Sequence, residues 1–172
     1  MEKELYFTEF CVYKGEVASN FLFKPTGYGS MSHGSTAPPP HHYDVIIQQE
    51  IDAYQGAFIS PDPAWPVDVR VFLVHLNEHL FDAGLTIGAL ERRCGLRGHD
   101  ISTRFAAYMK MSPGTYRLKH RMELAKRLLK HERLKPVLIY QLVLAVGYER
   151  HDVFSRVFKR QVGCTPSQYR AC

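Results

Sequence analysis

Val146-Gly147-Tyr148, Phe154-Ser155, Phe158 and Cys164-Thr165-Pro166-Ser167-Gln168-Tyr169-Arg170 repeat an earlier run of the same chain. That run is Cys94-Gly95-Leu96, Ile101-Ser102, Phe105 and Met111-Ser112-Pro113-Gly114-Thr115-Tyr116-Arg117. The glycines are 52 positions apart, and the residues from the Ser-x-x-Phe onward are 53 apart. Each copy carries the marks of two short helices meeting at a sharp turn. Gly supplies the left-handed stop, and the apolar residue after it plugs the angle between the helices. Two such units at a fixed separation can reach two successive stretches of one groove, which points to duplex DNA as the ligand.

The charge distribution agrees. Residues 1–66 hold three Lys/Arg against eight Asp/Glu, and residues 67–172 hold 19 against nine. A net +5 for 172 residues therefore hides a +10 region behind a −5 segment. Such a region gains affinity for polyanions by releasing their counterions, although the same balance would also serve RNA or anionic lipid. An apolar content of 45% with 12% aromatics predicts a packed core rather than global disorder. No apolar run approaches the ~18–20 residues of a membrane helix, so no membrane partner is expected. Met1 to Phe10 alternates charged and aromatic residues and lacks a signal-peptide core. Cys11, Cys94, Cys164 and Cys172 form no C-x-x-C pair, which predicts reduced thiols and a cytoplasmic protein.

Turn chemistry and periodicity divide the chain into 1–66 and 67–172. The acidic first part reads as short strands at Leu5-Tyr6-Phe7, Phe10-Cys11-Val12-Tyr13 and Phe21-Leu22-Phe23. A Pro-rich loop or linker comes next over 29–42, then a strand or short helix from Asp44 to Phe58, with Pro61, Pro63 and Pro66 as the boundary. This first part is a remnant, a small extra module or a flexible arm, with few contacts to the helical region. Beyond Val67 seven helices are predicted, and the fold class is mainly α. Two helix-turn-helix subdomains are joined by a long linker helix, and a short mixed or partly disordered amino-terminal segment precedes them.

The first predicted helix, about 67–82, places Val71, Val74 and His75 on one stripe with Phe81. Thr86 caps the second, which stops at Gly95. The third spans about 98–109, with Ile101, Phe105 and Met109 in register. Ser112 caps a long fourth helix, to about His131, with Pro113 at its first position and Tyr116, Met122, Ala125 and Leu129 inward. The fifth runs 136–146 and the sixth about 150–162, with Phe154 and Phe158 inward. Thr165-Pro166-Ser167-Gln168 is a capping box for the last. Since Phe154 and Phe158 face the core, Arg150, His151, Asp152, Ser155, Arg156, Lys159 and Arg160 fall on the outer face of the sixth helix.

With those residues in place, the region from about 70 to 170 resembles the DNA-binding domain of the AraC/XylS family of bacterial transcription regulators. The most specific stretch is Ala145-Val146-Gly147-Tyr148, Phe154-Ser155-Arg156-Val157-Phe158-Lys159-Arg160 and Gly163-Cys164-Thr165-Pro166-Ser167-Gln168-Tyr169-Arg170. Ser112-Pro113-Gly114-Thr115-Tyr116 and Leu124-Ala125-Lys126-Arg127-Leu128-Leu129 match as well. The resemblance implies two recognition helices entering adjacent major-groove segments. His99, Ser102 and Thr103 would read bases in the first, Asp152 and Arg156 in the second, with Arg150 and His151 nearby. It implies double-stranded DNA and RNA polymerase as partners, and neither a cofactor nor an identified small-molecule effector. The family favours a small residue four positions before each turn Gly. Glu91 and Val143 stand there in this chain, which predicts positioning helices pushed off the recognition helices. Members commonly carry a larger effector-binding or dimerisation domain ahead of this one, and residues 1–66 are too short for a complete domain of that kind.

Two other classes remain in view. A non-catalytic interaction module with weakened DNA contacts would keep the fold without the binding. A metal-dependent hydrolase would use His75-Leu76-Asn77-Glu78-His79, which spells H-x-x-E-H, though nothing nearby in sequence supplies a third ligand. The expected reading of that motif is a polar helix face, and of His33, His41 and His42 a solvated loop. No nucleophilic triad, phosphate loop or paired-carboxylate site stands out, so no enzyme is expected.

Overall fold

A computed structural model describes residues 40–58, 60–96 and 100–172. The strands expected within residues 1–30 and most of the Pro-rich loop lie outside these described residues. A compact unit runs from Ala37 to Cys172. Its helices, in order, are α1 Pro40–Gly56, α2 Val67–Glu78, α3 Ile87–Arg93, α4 Ile101–Met109, α5 Pro113–Lys130, α6 Ile139–Ala145, α7 His151–Val162 and α8 Pro166–Ala171. A single 3-10 turn, Glu132–Leu134, separates α5 from α6. The described residues are thus mainly α, as the periodicity predicts.

The helix boundaries follow from caps. Thr86, Ser112 and Thr165 each accept a hydrogen bond from the backbone N–H three residues on. The Gln168 side chain returns the bond to the Thr165 N–H at 2.9 Å, completing the capping box. α6 starts at Ile139 rather than 136, because Gln141 Oε1 accepts from the Leu138 N–H at 3.2 Å and fixes the first turn there.

The two repeat glycines end α3 and α6 in the same way. Gly95 (φ +69°) and Gly147 (φ +83°) take the left-handed conformation. Leu96 N–H donates to the Glu91 carbonyl at 3.0 Å, and Tyr148 N–H to that of Val143 at 3.1 Å. These are matching Schellman ends, so the sequence repeat is a repeat of backbone geometry. Glu91 and Val143 are both accommodated. Val143 is buried among apolar neighbours, while Glu91 lies half-buried and accepts a hydrogen bond from Ser102.

Two apolar cores sit at either end of α5. The first gathers Val69, Phe72, Leu73, Leu76 and Leu80 with Leu90, Ile101, Phe105 and Tyr116. The second gathers Met122, Leu124, Ala125, Leu128 and Leu129 of α5 with Leu142, Val143, Val146, Phe154 and Phe158. Phe81 packs against both. Each recognition-type helix is anchored by aromatics: Phe105 meets Phe72 edge-on at 5.6 Å, and Phe158 meets Tyr169 at 5.5 Å.

Three expectations need correction. The buried stripe of α2 is Val69, Phe72, Leu73 and Leu76, whereas Val74 is exposed. Val71 and Val74 have the same helical period, so periodicity alone could not choose between adjacent stripes. Of the two alternatives for Asp44 to Phe58 the helix forms, but it is longer than expected: residues 44–56 belong to a regular helix that begins at Pro40, where a proline fits because the first turn needs no N–H donor. And the boundary at 66/67 falls inside the compact unit. Ile46 and Ile47 of α1 are 3% and 7% exposed in the second core. Tyr54 Oη lies 2.9 Å from His120 Nδ1 on α5. At the far end Gln55 donates to the Asn77 carbonyl of α2 at 2.9 Å. α1 therefore runs alongside α5 and touches both halves.

Candidate nucleic-acid interface

α7 presents the best-furnished polar face. Phe154 and Phe158 are buried beneath it, at 1% and 0% exposure, which fixes the rotation of the helix. Arg150, His151, Asp152, Arg156, Lys159 and Arg160 are exposed, and Ser155 is half-buried. Arg150 Nε and Nη2 donate to the two Asp152 carboxylate oxygens at 3.1 and 2.8 Å. Arg156 reaches the same carboxylate at 3.4 Å. The hydrogen bond from Arg150, with its charge and that of Arg156, holds the Asp152 carboxyl below the ordinary carboxylate range. The structure thus joins three of the sequence-predicted residues into one small network. Asp152 neutralises part of the two guanidinium charges while aligning both along the outer face.

The equivalent face on α4 is sparer. Asp100 caps the helix by accepting from the Thr103 N–H, and Ile101 and Phe105 point inward. Thr103 is exposed, but Ser102 is half-buried and its hydroxyl donates to Glu91 Oε1 at 3.2 Å. Arg104 is exposed yet engaged with Asp68 of α2. His99 lies outside the described residues. So Ser102 and Thr103, the two expected residues that are described on this half, are not joined as those of α7 are, and Glu91 gives Ser102 a positioning contact instead.

What holds the two units together escaped the sequence reading. Arg121, 6% exposed in the middle of α5, donates to three backbone carbonyls. Nε reaches Leu80 at 2.8 Å, Nη2 reaches Asp82 at 2.7 Å and Nη1 reaches Gly147 at 2.6 Å. The first two lie just after α2; the third is the turn of the second unit. Burial, with Arg117 nearby, lowers its pKa to about 10, so it remains a cation at neutral pH, with Tyr148 and Asp82 offsetting part of the shift. Its signal was available: Arg121 sits on the inward stripe of α5 between Tyr116 and Leu124, where a charge must find partners. Arg117 likewise donates to the Leu85 carbonyl, and Arg170 of α8 to that of Val137 at 2.6 Å. Part of the basic excess therefore serves the fold, while Lys119, Arg127 and Lys130 of α5 are exposed.

No helix among the described residues is long and apolar enough to cross a membrane. Among the same residues one cluster, His75, Glu78 and His79, has the composition of a metal site. Cys94, Cys164 and Cys172 are free thiols.

This geometry of two capped helix pairs around a linker helix recurs in known proteins. A family model described as "Helix-turn-helix domain" matches residues 90–171. Among relatives, the chain is 34% identical over 85 residues to the HTH-type transcriptional regulator AlkR of Acinetobacter baylyi. It is 31% identical over 108 residues to the arabinose operon regulatory protein of Escherichia coli. Over this region the chain is similar to the helix-turn-helix domains of AraC/XylS-family regulators. Among solved structures, the C-terminal domain of AraT, a response regulator from Geobacillus stearothermophilus, superposes with a TM-score of 0.56 at 26% identity. That match covers 63% of this chain and 87% of the other. The alignments take in 49% and 62% of this chain but only 27% and 36% of AlkR and the arabinose regulator. The AraC-type domain is thus the shared part.

Proposed function

We propose that the chain is a sequence-specific, DNA-binding transcription regulator that places α4 and α7 in adjacent major-groove segments. The carrying observation is the outer face of α7, where six exposed polar or charged side chains, Arg150 to Arg160, stand over an aromatic anchor. In this reading Arg156 contacts a base edge, and Lys159 and Arg160 meet phosphates. Thr103 makes the lesser contribution of α4. The activity is binding rather than catalysis, RNA polymerase is the expected protein partner, and the cytoplasm is the expected compartment.

A second reading has its own observation. With Ser102 tied to Glu91 and Arg104 to Asp68, α4 offers little free donor capacity. The domain could then act as an interaction module whose DNA contacts have weakened. Selection of binding sites from random duplex DNA separates the two. The regulator reading expects an enriched motif with half-sites about one helical turn apart. Uniform recovery of all sequences, with weak and salt-insensitive binding, would favour the module.

A further inference from the structure

We propose that the carboxy-terminal end of α2 is a surface site for one divalent transition-metal ion, held by His75, Glu78 and His79. One ligand atom from each of the three lies within 4.8 Å of the other two. Ligand atoms sharing an ion with bonds of about 2.0–2.2 Å sit about 3–4 Å apart, so small rotations of these partly exposed side chains complete the set. His75 Nδ1 is already 3.3 Å from Glu78 Oε2. Two further features of the same helix end favour a cation.

The first is a supporting carboxylate. His79 Nδ1 lies 2.8 Å from Asp82 Oδ2. A hydrogen bond there puts the ring proton on Nδ1 and leaves the Nε2 lone pair for a metal, the arrangement that orients metal-bound imidazoles generally. The second is position. The three residues fall in and just beyond the last turn of α2, where the partial negative charge of the helix end attracts cations. Two imidazoles and one carboxylate suit zinc, nickel or cobalt better than magnesium or calcium, which take oxygen ligands.

The geometry assigns binding rather than hydrolysis. In the H-x-x-E-H reading as a peptidase, Glu78 would have to be the base, leaving only two ligands. Here it is the third ligand, and the ion would keep solvent on its outer side. Occupancy also has a route into the fold, since the Asp82 backbone carbonyl accepts from Arg121, which holds the Gly147 turn.

The test uses the full chain, stripped with a chelator and titrated with Zn²⁺ by calorimetry and with Co²⁺ by visible absorption. One ion per chain is expected. His75→Ala and His79→Ala should each weaken binding by about tenfold or more, and Asp82→Asn by about tenfold. A chain carrying His33→Ala, His41→Ala and His42→Ala together should bind as the parent does. Far-UV circular dichroism checks each fold; should an alanine variant misfold, Glu78→Gln and X-ray absorption of the zinc-loaded parent replace it. Two imidazoles around the ion support the site. The absence of a saturable site, a thiolate shell, or loss of binding only in the triple variant would overturn it.

Discussion

Replacing each repeat glycine by alanine gives two perturbations that are alike in the backbone and different in their surroundings. Gly95 and Gly147 share a left-handed φ and the same Schellman hydrogen bonds. An alanine held in that conformation costs about 1–2 kcal/mol. At Gly95 little more is expected, because a Cβ there meets nothing within 4 Å among the described residues. At Gly147 the added Cβ would lie 2.6 Å from the Phe81 carbonyl oxygen and 2.7 Å from Arg121 Nη2. Neither neighbour is free to retreat. The first is backbone, and the second is a guanidinium fixed by three carbonyls.

Displacing Arg121 loses at least one charge-assisted hydrogen bond, worth about 1.5–3 kcal/mol. Gly147→Ala should therefore cost about 2.5–5 kcal/mol in all, out of the roughly 5–15 kcal/mol typical of a domain. Urea unfolding of both variants, followed by circular dichroism with slopes compared to confirm two-state behaviour, measures the difference. The expectation is a modest midpoint shift for Gly95→Ala and a severe one, or failure to fold, for Gly147→Ala. Equal shifts would refute the claim that Arg121 makes the second turn the tighter of the two.

Affinity for duplex DNA should fall steeply with salt: if five to eight phosphates are neutralised, the log–log slope is about −4 to −7, and a flat titration would contradict the electrostatic argument. Arg156→Ala should weaken binding to selected duplexes more than Thr103→Ala, by roughly 1–3 kcal/mol in discrimination, whereas equal loss on scrambled duplexes would make Arg156 a phosphate contact. Ile46→Ala should cost about 2–5 kcal/mol in urea unfolding, because the side chain is buried in the second core. Removal of residues 1–58 should destabilise the domain too, and a truncated chain of undiminished stability would show that α1 is dispensable. Burial among Tyr54, Phe58 and Tyr116, with Lys119 adding and Glu123 opposing, holds the His120 pKa below its ordinary value. The unfolded chain then takes up its proton first, so stability present above about pH 6.5 is lost as the pH falls through the imidazole range. His120→Gln should flatten that part of the profile in pH-dependent melting, and an unchanged profile would exonerate the ring.

What could be read from the sequence is what its physics keeps local. Thr86, Ser112 and Thr165 act on an N–H three residues away, and Gly95 and Gly147 act on the turn they occupy, so caps and stops were legible. The outer face of α7 was legible for the same reason: Phe154 and Phe158 are one helical turn apart, and two buried aromatics fix where the other side chains point. Where partners are distant, the reading failed. Arg121 bonds to residues 26 to 41 positions away, so nothing near it in sequence marks its partners in one of the fold's central contacts. Ser102 was read as free because Glu91, eleven positions back, was judged only as too large for its site.

The same distinction explains α1. Tyr43, Ile46, Ile47, Ile51 and Tyr54 do recur at helical spacing, yet between the Pro-rich stretch 29–42 and Pro61, Pro63 and Pro66 the sequence alone leaves 44–58 open between a strand and a short helix. Prolines at its start are compatible with a helix, and the face they precede finds its partners on α5, some seventy to ninety residues further on. A periodic stripe with no neighbour in sequence is a stripe in search of a core. On that argument α1 belongs with the helical unit rather than with a separable acidic segment. Glu50 of α1 lies 3.8 Å from Arg127 and 3.7 Å from His131, so at least one of those acidic charges is set against the basic linker helix itself.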